Sequence, residues 1–326
     1  MLAPTPRDTV FSDGTARLYR FRAPRPVGAQ VIPIDAPKTP VLLVPSMINR
    51  WYVLDLREGY SLVEALVRNG FDTYLLDWGA PNDEDRYLSW EDVLTRLGRM
   101  FRAAQRHSGA KRLHVLGYCM GATLSGIHAA LEPSSVASLV NLLGPFDFSK
   151  AGNLAQMTDP QWFDADAVAE AGNVAPQQMQ AGFVMLRPTQ NLSKLVNRID
   201  KAFDPAFRES FEALEAWASD NVSFPAEAYR TYIKELYQQN QLVQGQHHVR
   251  GRQVELSKID CPVMTIAAER DAICPPDAAV ALNAACSSKV KKTLRVPGGH
   301  VGAVVGSRAA THLYPKVVEF FQEAAS

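Results

Sequence analysis

Three residues far apart in the chain have the types needed for covalent acyl chemistry: Cys119, Asp271 and His300. Cys119 stands between two glycines in Leu116-Gly117-Tyr118-Cys119-Met120-Gly121-Ala122-Thr123. Asp271 follows an apolar run at residues 262–268, and His300 ends Pro297-Gly298-Gly299-His300 after a second run at 292–296. A histidine within reach takes the thiol's proton, and a carboxylate holds that histidine in the useful tautomer. An acyl group carried on sulfur is a thioester, so loading it from a coenzyme A thioester is close to energetically even. It then remains reactive toward a hydroxyl group or water.

These residues must be held by particular elements. Residues 112–116 alternate and end in branched apolar side chains, while 122–131 place apolar residues at helical spacing. Strand, turn and helix follow in that order, which throws Cys119 to the top of a sheet. The glycines at 117 and 121 suit a strained backbone that packs closely on its neighbours. The following helix presents its positive end to the thiol and favours thiolate. A cysteine flanked by glycines is, taken alone, more often just a small buried hydrophobe. The order nucleophile, acid, histidine, with the last two on loops after strands, matches the α/β-hydrolase scheme. The predicted fold class is therefore α/β, a mostly parallel sheet flanked by helices and carrying an inserted helical lid. Backbone donors for an oxyanion are expected at Met120, just after the nucleophile, and at Ile48, in the loop after the strand at 40–44.

Taken in order, residues 9–21 predict a hairpin about Asp13-Gly14, followed by a proline-rich connection. A helix is expected at 61–69, closing at Gly70, with a strand at 73–77. Ser89-Trp90-Glu91-Asp92 reads as a capping box before a helix whose core face is Val93, Leu94, Leu97, Met100, Phe101 and Ala104. After a strand at 136–143 the alternation of strand and helix stops. The expected division is a hydrolase core at 1–148 and 253–326 with a helical lid at 149–252. Trp162, Phe163, Met179, Phe183 and Met185 either line an acyl tunnel or form the lid's own core. Gln238-Gln239-Asn240-Gln241 and residues 244–248 read as an exposed polar connector. His247-His248 lacks the spacing and nearby ligands of a metal site, so no metal is expected. A helix at 276–285 and a final helix at 311–324 return to the core.

Composition narrows the function. The chain has 326 residues, 47% hydrophobic and 21% charged, which suffices for one large α/β core. Zero formal net charge gives no reason to expect a nucleic-acid partner. Four cysteines, at 119, 261, 274 and 286, show no paired spacing, and no apolar run approaches a membrane span. With no secretory pattern at the start, a soluble cytoplasmic protein is expected. Neither a phosphate-binding glycine loop nor any other motif locates a coenzyme A site, and substrate-binding residues stay unassigned.

The stretch from Pro45 to Leu56, then Trp78, Gly117-Tyr118-Cys119-Met120-Gly121 and Pro297-Gly298-Gly299-His300, resembles the polyhydroxyalkanoate synthases. It is most similar to the short catalytic subunit of the two-subunit (class III) kinds. Leu186-Arg187-Pro188 and the stretch from Ile233 to Asn240 share the likeness. The resemblance implies that Cys119 carries the growing polyester, His300 activates the thiol, and Asp271 supports His300 or helps activate the incoming 3-hydroxyl. It implies (R)-3-hydroxybutyryl-CoA or a short homologue as substrate and release of coenzyme A, which is part of the substrate, so no separate cofactor is expected. A homodimer, a second synthase subunit and a place at the polyester granule surface are also implied. The chain departs from the family pattern at Gly121-Ala122, where a Gly-Gly pair is common, at Asp271-Ala272, where histidine usually follows the acid, and in a short leader before the first strand. A cysteine hydrolase or depolymerase of the same fold, or a non-catalytic granule-associated relative, would share much of this pattern.

Overall fold

Alternating side chains at the start of the chain pair as strands β1 (Arg7–Asp13) and β2 (Ala16–Phe21), antiparallel about a turn where Gly14 adopts φ +61°. The computed structural model describes residues 1–22, 40–186 and 205–325. Arg187 and Pro188, and the proline-rich connection from 23 to 39, lie outside the described residues. The hairpin is the edge of an eight-stranded sheet completed by β3 (Val41–Val44), β4 (Thr73–Asp77), β5 (Leu113–Tyr118), β6 (Val136–Leu142), β7 (Val263–Ala268) and β8 (Lys291–Val296). The spatial order is β1-β2-β4-β3-β5-β6-β7-β8. Pairing is antiparallel up to β4 and parallel beyond it.

The strand period of two splits the apolar residues between two layers. Leu42, Val44 and Val115 face one cluster, built with Val93, Leu97 and Phe101 of α2 (Trp90–Ser108) and Leu124 and Ile127 of α3 (Met120–Leu131). Val41, Leu43 and Leu116 face the other, with Leu62 and Leu66 of α1 (Leu62–Arg68) and the C-terminal helix. Covered on both faces, β4 and β5 are buried along their whole length, as parallel strands require. The capping box is present: Asp92 N donates to Ser89 Oγ and Ser89 N to Asp92 Oδ2, both at 3.1 Å, and Gly109 at φ +74° ends α2.

Between β6 and β7 the chain forms a helical cap. It contains α4 (Asn153–Met157), α5 (Ala165–Glu170), α6 (Pro176–Leu186), α7 (Pro205–Ser219) and α8 (Ala226–Thr231), which runs on as a π-helix over Tyr232–Gln238. Val174 and Phe224 join its two halves through a backbone bridge. The core resumes with α9 (Pro276–Ala285) after β7, and α10 (Tyr314–Ala325) ends the described chain. Among the described residues no helix is long and apolar enough to cross a membrane.

The polar stretch at 238–248 is exposed as expected at Gln239, Gln244, Gln246 and His248, but not at His247, Gln238 and Asn240. His247 is fully buried: Trp90 Nε1 donates to its Nε2 at 3.2 Å, and its Nδ1 lies 2.8 Å from Glu235. The indole donor fixes Nε2 as acceptor, so Nδ1 carries the proton toward Glu235. Asn240 accepts from Phe148 N at 2.8 Å and donates to Asp147 Oδ1 at 2.9 Å. Gln238 donates to the carbonyls of Thr158 and Phe163. Asn240 and His247 bond core groups at the joint between cap and core, and Gln238 satisfies two carbonyls within the cap, work that polar composition alone does not reveal.

Candidate active site

The site begins with backbone strain. Cys119 sits between β5 and α3 at φ +55°, ψ −128°, a conformation costly for any residue with a side chain and concentrated at functional sites. Cys119 N donates to Leu142 O and Ala122 N to Cys119 O, each at 2.9 Å, which locks the turn. Both flanking glycines are required by space. A methyl group on Gly117 would lie 2.3 Å from Ala122 Cα, and one on Gly121 would lie 2.0 Å from Val44 O. Ala122 is accommodated from across the turn. A methyl on Gly144 would sit 2.3 Å from the Ala122 Cβ, so glycine at 144 leaves the room that alanine at 122 uses.

The structure brings Asp271 and His300 to the same place from the loops after β7 and β8. Asp271 Oδ1 accepts from the amides of Ile273 and Cys274, both at 2.9 Å, and Oδ2 from His300 Nδ1 at 2.7 Å. Tyr118 stacks on the imidazole at a centroid distance of 5.5 Å. His300 Nε2 is buried without a hydrogen bond of good geometry, leaving it to its neighbour, the Cys119 thiol. Burial pushes the imidazolium down, but the negative charges of Cys119 and Asp271 outweigh it and raise His300 to about 10. Imidazolium is therefore favoured whenever the thiolate forms.

Above Cys119 lies a cavity of about 270 Å³. Ile48, Cys119 and Met120 line it from the core, so both expected oxyanion donors belong to residues at its floor. Phe163, Met179 and Phe183 wall it from the cap. Trp162 and Met185, grouped with them from sequence, are 65% and 68% exposed and belong neither to the cavity nor to a cap core. Helix α6 and its neighbours bury only one side, and composition could not say which.

Two site residues that sequence reasoning left without a role are Tyr232 and Tyr237, both buried and both lining the cavity. They are five apart, which an α-helix would turn well away from each other. The wider π-helical turn brings their rings to 5.4 Å. Burial, reinforced by the negative charge at Cys119, keeps both phenols protonated. Ser46, in the loop before Ile48, holds a buried hydroxyl without a partner among the described residues. Cys274 is fully buried beside Asp271, and burial pushes its thiol well up. Among the described residues no cluster of His, Cys, Asp and Glu could hold a metal ion.

Known proteins share these features. Residues 39–307 match the sequence profile of the α/β-hydrolase fold. The "Poly(3-hydroxyalkanoate) polymerase subunit PhaC" of Allochromatium vinosum is 33% identical over 322 residues, covering 98% of this chain and 89% of that protein. The same-named protein of Thiocystis violacea is 32% identical over 323 residues, covering 98% and 88%. That of Haloferax mediterranei is also 32% identical, and this chain spans 64% of its length. Among solved structures, a soluble variant of monoglyceride lipase from Saccharomyces cerevisiae superposes with a TM-score of 0.58 at 14% identity, covering 99% of both chains. The monoacylglycerol lipase of Paleococcus ferrophilus gives 0.56 at 16% identity, covering 88% of this chain and 96% of that one. At these identities the structural likeness shows the fold alone.

Proposed function

The chain belongs to the poly(3-hydroxyalkanoate) polymerase family, built on the α/β-hydrolase fold, and on that premise we propose that it polymerises short-chain (R)-3-hydroxyacyl-CoA through a thioester on Cys119. The observation that carries this reading is an elbow thiol, partnered by a buried His300–Asp271 pair, at the floor of an apolar cavity. Cys119, once its proton has passed to His300, attacks the acyl carbonyl. The amides of Met120 and Ile48 meet the oxygen as it gains charge. His300 then returns the proton to the departing sulfur, and free coenzyme A leaves. For chain growth the 3-hydroxyl of another unit attacks an enzyme-bound thioester, giving up its proton to His300 as the ester bond forms and the C–S bond breaks. The 2.7 Å contact between Asp271 and His300 supports the role of orienting the imidazole over that of activating the hydroxyl.

The largely apolar lining supports acyl transfer to a hydroxyl over transfer to water, since apolar walls disfavour water beside the thioester. The relatives are named as polymerase subunits, and a second subunit, a homodimer and a place at the granule surface form part of the same proposal. The test is coenzyme A release from (R)-3-hydroxybutyryl-CoA by wild type and Cys119→Ala, with the organic product examined for length. Release confined to wild type, with polyester as product, is expected. Cys119-dependent release giving only 3-hydroxybutyrate would make the protein a hydrolase, and release that survives Cys119→Ala would remove Cys119 from the chemistry.

A further inference from the structure

The loop that carries Ile48 is held at its two ends by different parts of the molecule. On the amino side the partners are core: Trp78 Nε1 donates to Pro45 O at 3.0 Å, and Gly121 of α3 approaches Val44 O and Pro45 O too closely for any side chain. On the carboxyl side the partners are residues 217–222 of the cap. Val222 N donates to Ile48 O at 3.4 Å, Asn49 Nδ2 to Asn221 Oδ1 at 2.7 Å, and Trp217 Nε1 to Arg50 O at 2.9 Å. Asp220 makes two further bonds at once. Arg50 Nε donates to its Oδ1 at 3.0 Å and the Tyr52 hydroxyl to its Oδ2 at 2.7 Å.

As an ion pair this bridge contributes little, because the Arg50 and Asp220 side chains are 31% and 44% exposed and solvent screens them. Its value is geometric. The residues between β3 and the short helical turn at Trp51–Leu54 belong to no strand or helix ladder, so their backbone takes its shape from such partners. A donor aimed at developing charge has to be placed within about 0.5 Å of the productive position. One carboxylate that grips residues 50 and 52 together, beside bonds to 48, 49 and 50, supplies that kind of constraint.

We propose that Asp220 is a positioning residue for the oxyanion loop, through which the cap sets where the Ile48 amide stands as the acyl oxygen becomes negative. The cap thus shapes the transition state as well as walling the cavity. This rests on Cys119 being an acyl-accepting nucleophile, but not on the identity of the acyl donor.

The test uses the burst of p-nitrophenolate from p-nitrophenyl butyrate, alongside alkylation of Cys119 by iodoacetamide, a displacement at carbon in which no oxyanion develops. Asp220→Ala should slow the acylation burst roughly 10- to 100-fold, with KM changed by less than about threefold. Its alkylation rate should stay within about twofold of wild type, because neither the thiol nor His300 is disturbed. Asp220→Glu, which keeps both acceptor oxygens, should recover part of the burst rate. Tyr52→Phe, which removes one bond and preserves packing, should show a smaller loss in the same direction and covers the case in which Asp220→Ala does not fold. An unchanged burst in both Asp220→Ala and Tyr52→Phe, or alkylation falling in parallel with acylation, would overturn the assignment. A wild type that bursts with the ester yet leaves (R)-3-hydroxybutyryl-CoA untouched would instead remove the polymerase reading and leave this comparison standing.

Discussion

The loops at the carboxyl end of the sheet and the helices of the cap meet over Cys119, but they hold their residues by different means. In the core, position is set by backbone. Cys119 is fixed by a left-handed φ and two backbone hydrogen bonds, and Asp271 by two amides of its own loop. Glycines at 117, 121 and 144 let main chains approach where no side chain fits. In the cap, position is set by side chains: Phe183 and Met179 by partial burial against the cavity, and Asn240, His247 and Asp220 by bonds to the core. Backbone contacts between regular elements cannot be adjusted by a rotamer change, whereas side-chain walls can repack. The reacting side chains are therefore lodged in the rigid half, and the cavity wall, with the proposed restraint on the oxyanion loop, in the half that acts through side chains.

That contrast can be broken or sharpened by substitution on either side. The largest effect is expected at His300. His300→Gln should lower acylation of Cys119 by about a thousandfold or more in single-turnover assays while the fold survives. The same variant reports the sign of the linkage. His300 is raised from 6.5 to about 10, so its ionisation stabilises the fold in full below pH 6.5, and that contribution is lost as pH rises through about 10. The excess stability of wild type over His300→Gln should therefore be greatest in acid and vanish by that pH. A gap that widened with pH would mean that the imidazole is neutral in the native state.

Gly121→Ala comes next. With Val44 O only 2.0 Å from the added methyl, the turn and β3 must separate, at about 3 kcal/mol or more in urea unfolding. Tolerance of this change would show the elbow to be as plastic as the cap. The smallest effect is expected in the cap itself. Phe183→Ala removes a half-buried ring, so stability should fall by only about 1–2 kcal/mol and kcat by a few-fold. The relative rate with longer 3-hydroxyacyl-CoA should rise as the cavity enlarges. A loss of acylation as deep as that of His300→Gln would place the ring in the chemistry and erase the distinction between the two halves.

Much of this was legible along the chain. The strand at 73–77, the capping box at Ser89 and Asp92, and the helix at 276–285 depend on local patterns, and the structure shows them at those residues. Cys119, Asp271 and His300 stood out because glycine spacing and strand endings are local signals, and the structure brings them together. The cap was less legible. Trp162 and Met185 carry the same apolar signal as Phe163 and Phe183 yet face solvent. Polar residues near 240 gave the signal of an exposed loop, yet they close the joint between cap and core. Asp220 gave no signal, being one carboxylate in an ordinary polar stretch.

The sequence by itself determined the fold and which side chains stand at the ends of the strands, because a strand's period and a glycine's conformational freedom are properties of a few neighbouring residues. Only the tertiary structure decided what closes over them. The pairing of Tyr232 with Tyr237 needs a π-helical turn that packing imposes. Glycine at 144 fits alanine at 122 only because the loop after β6 passes against the first turn of α3. The grip of Asp220 on Arg50 and Tyr52 joins residues about 170 positions apart. Such contacts depend on distance in space, which no periodicity along the chain encodes.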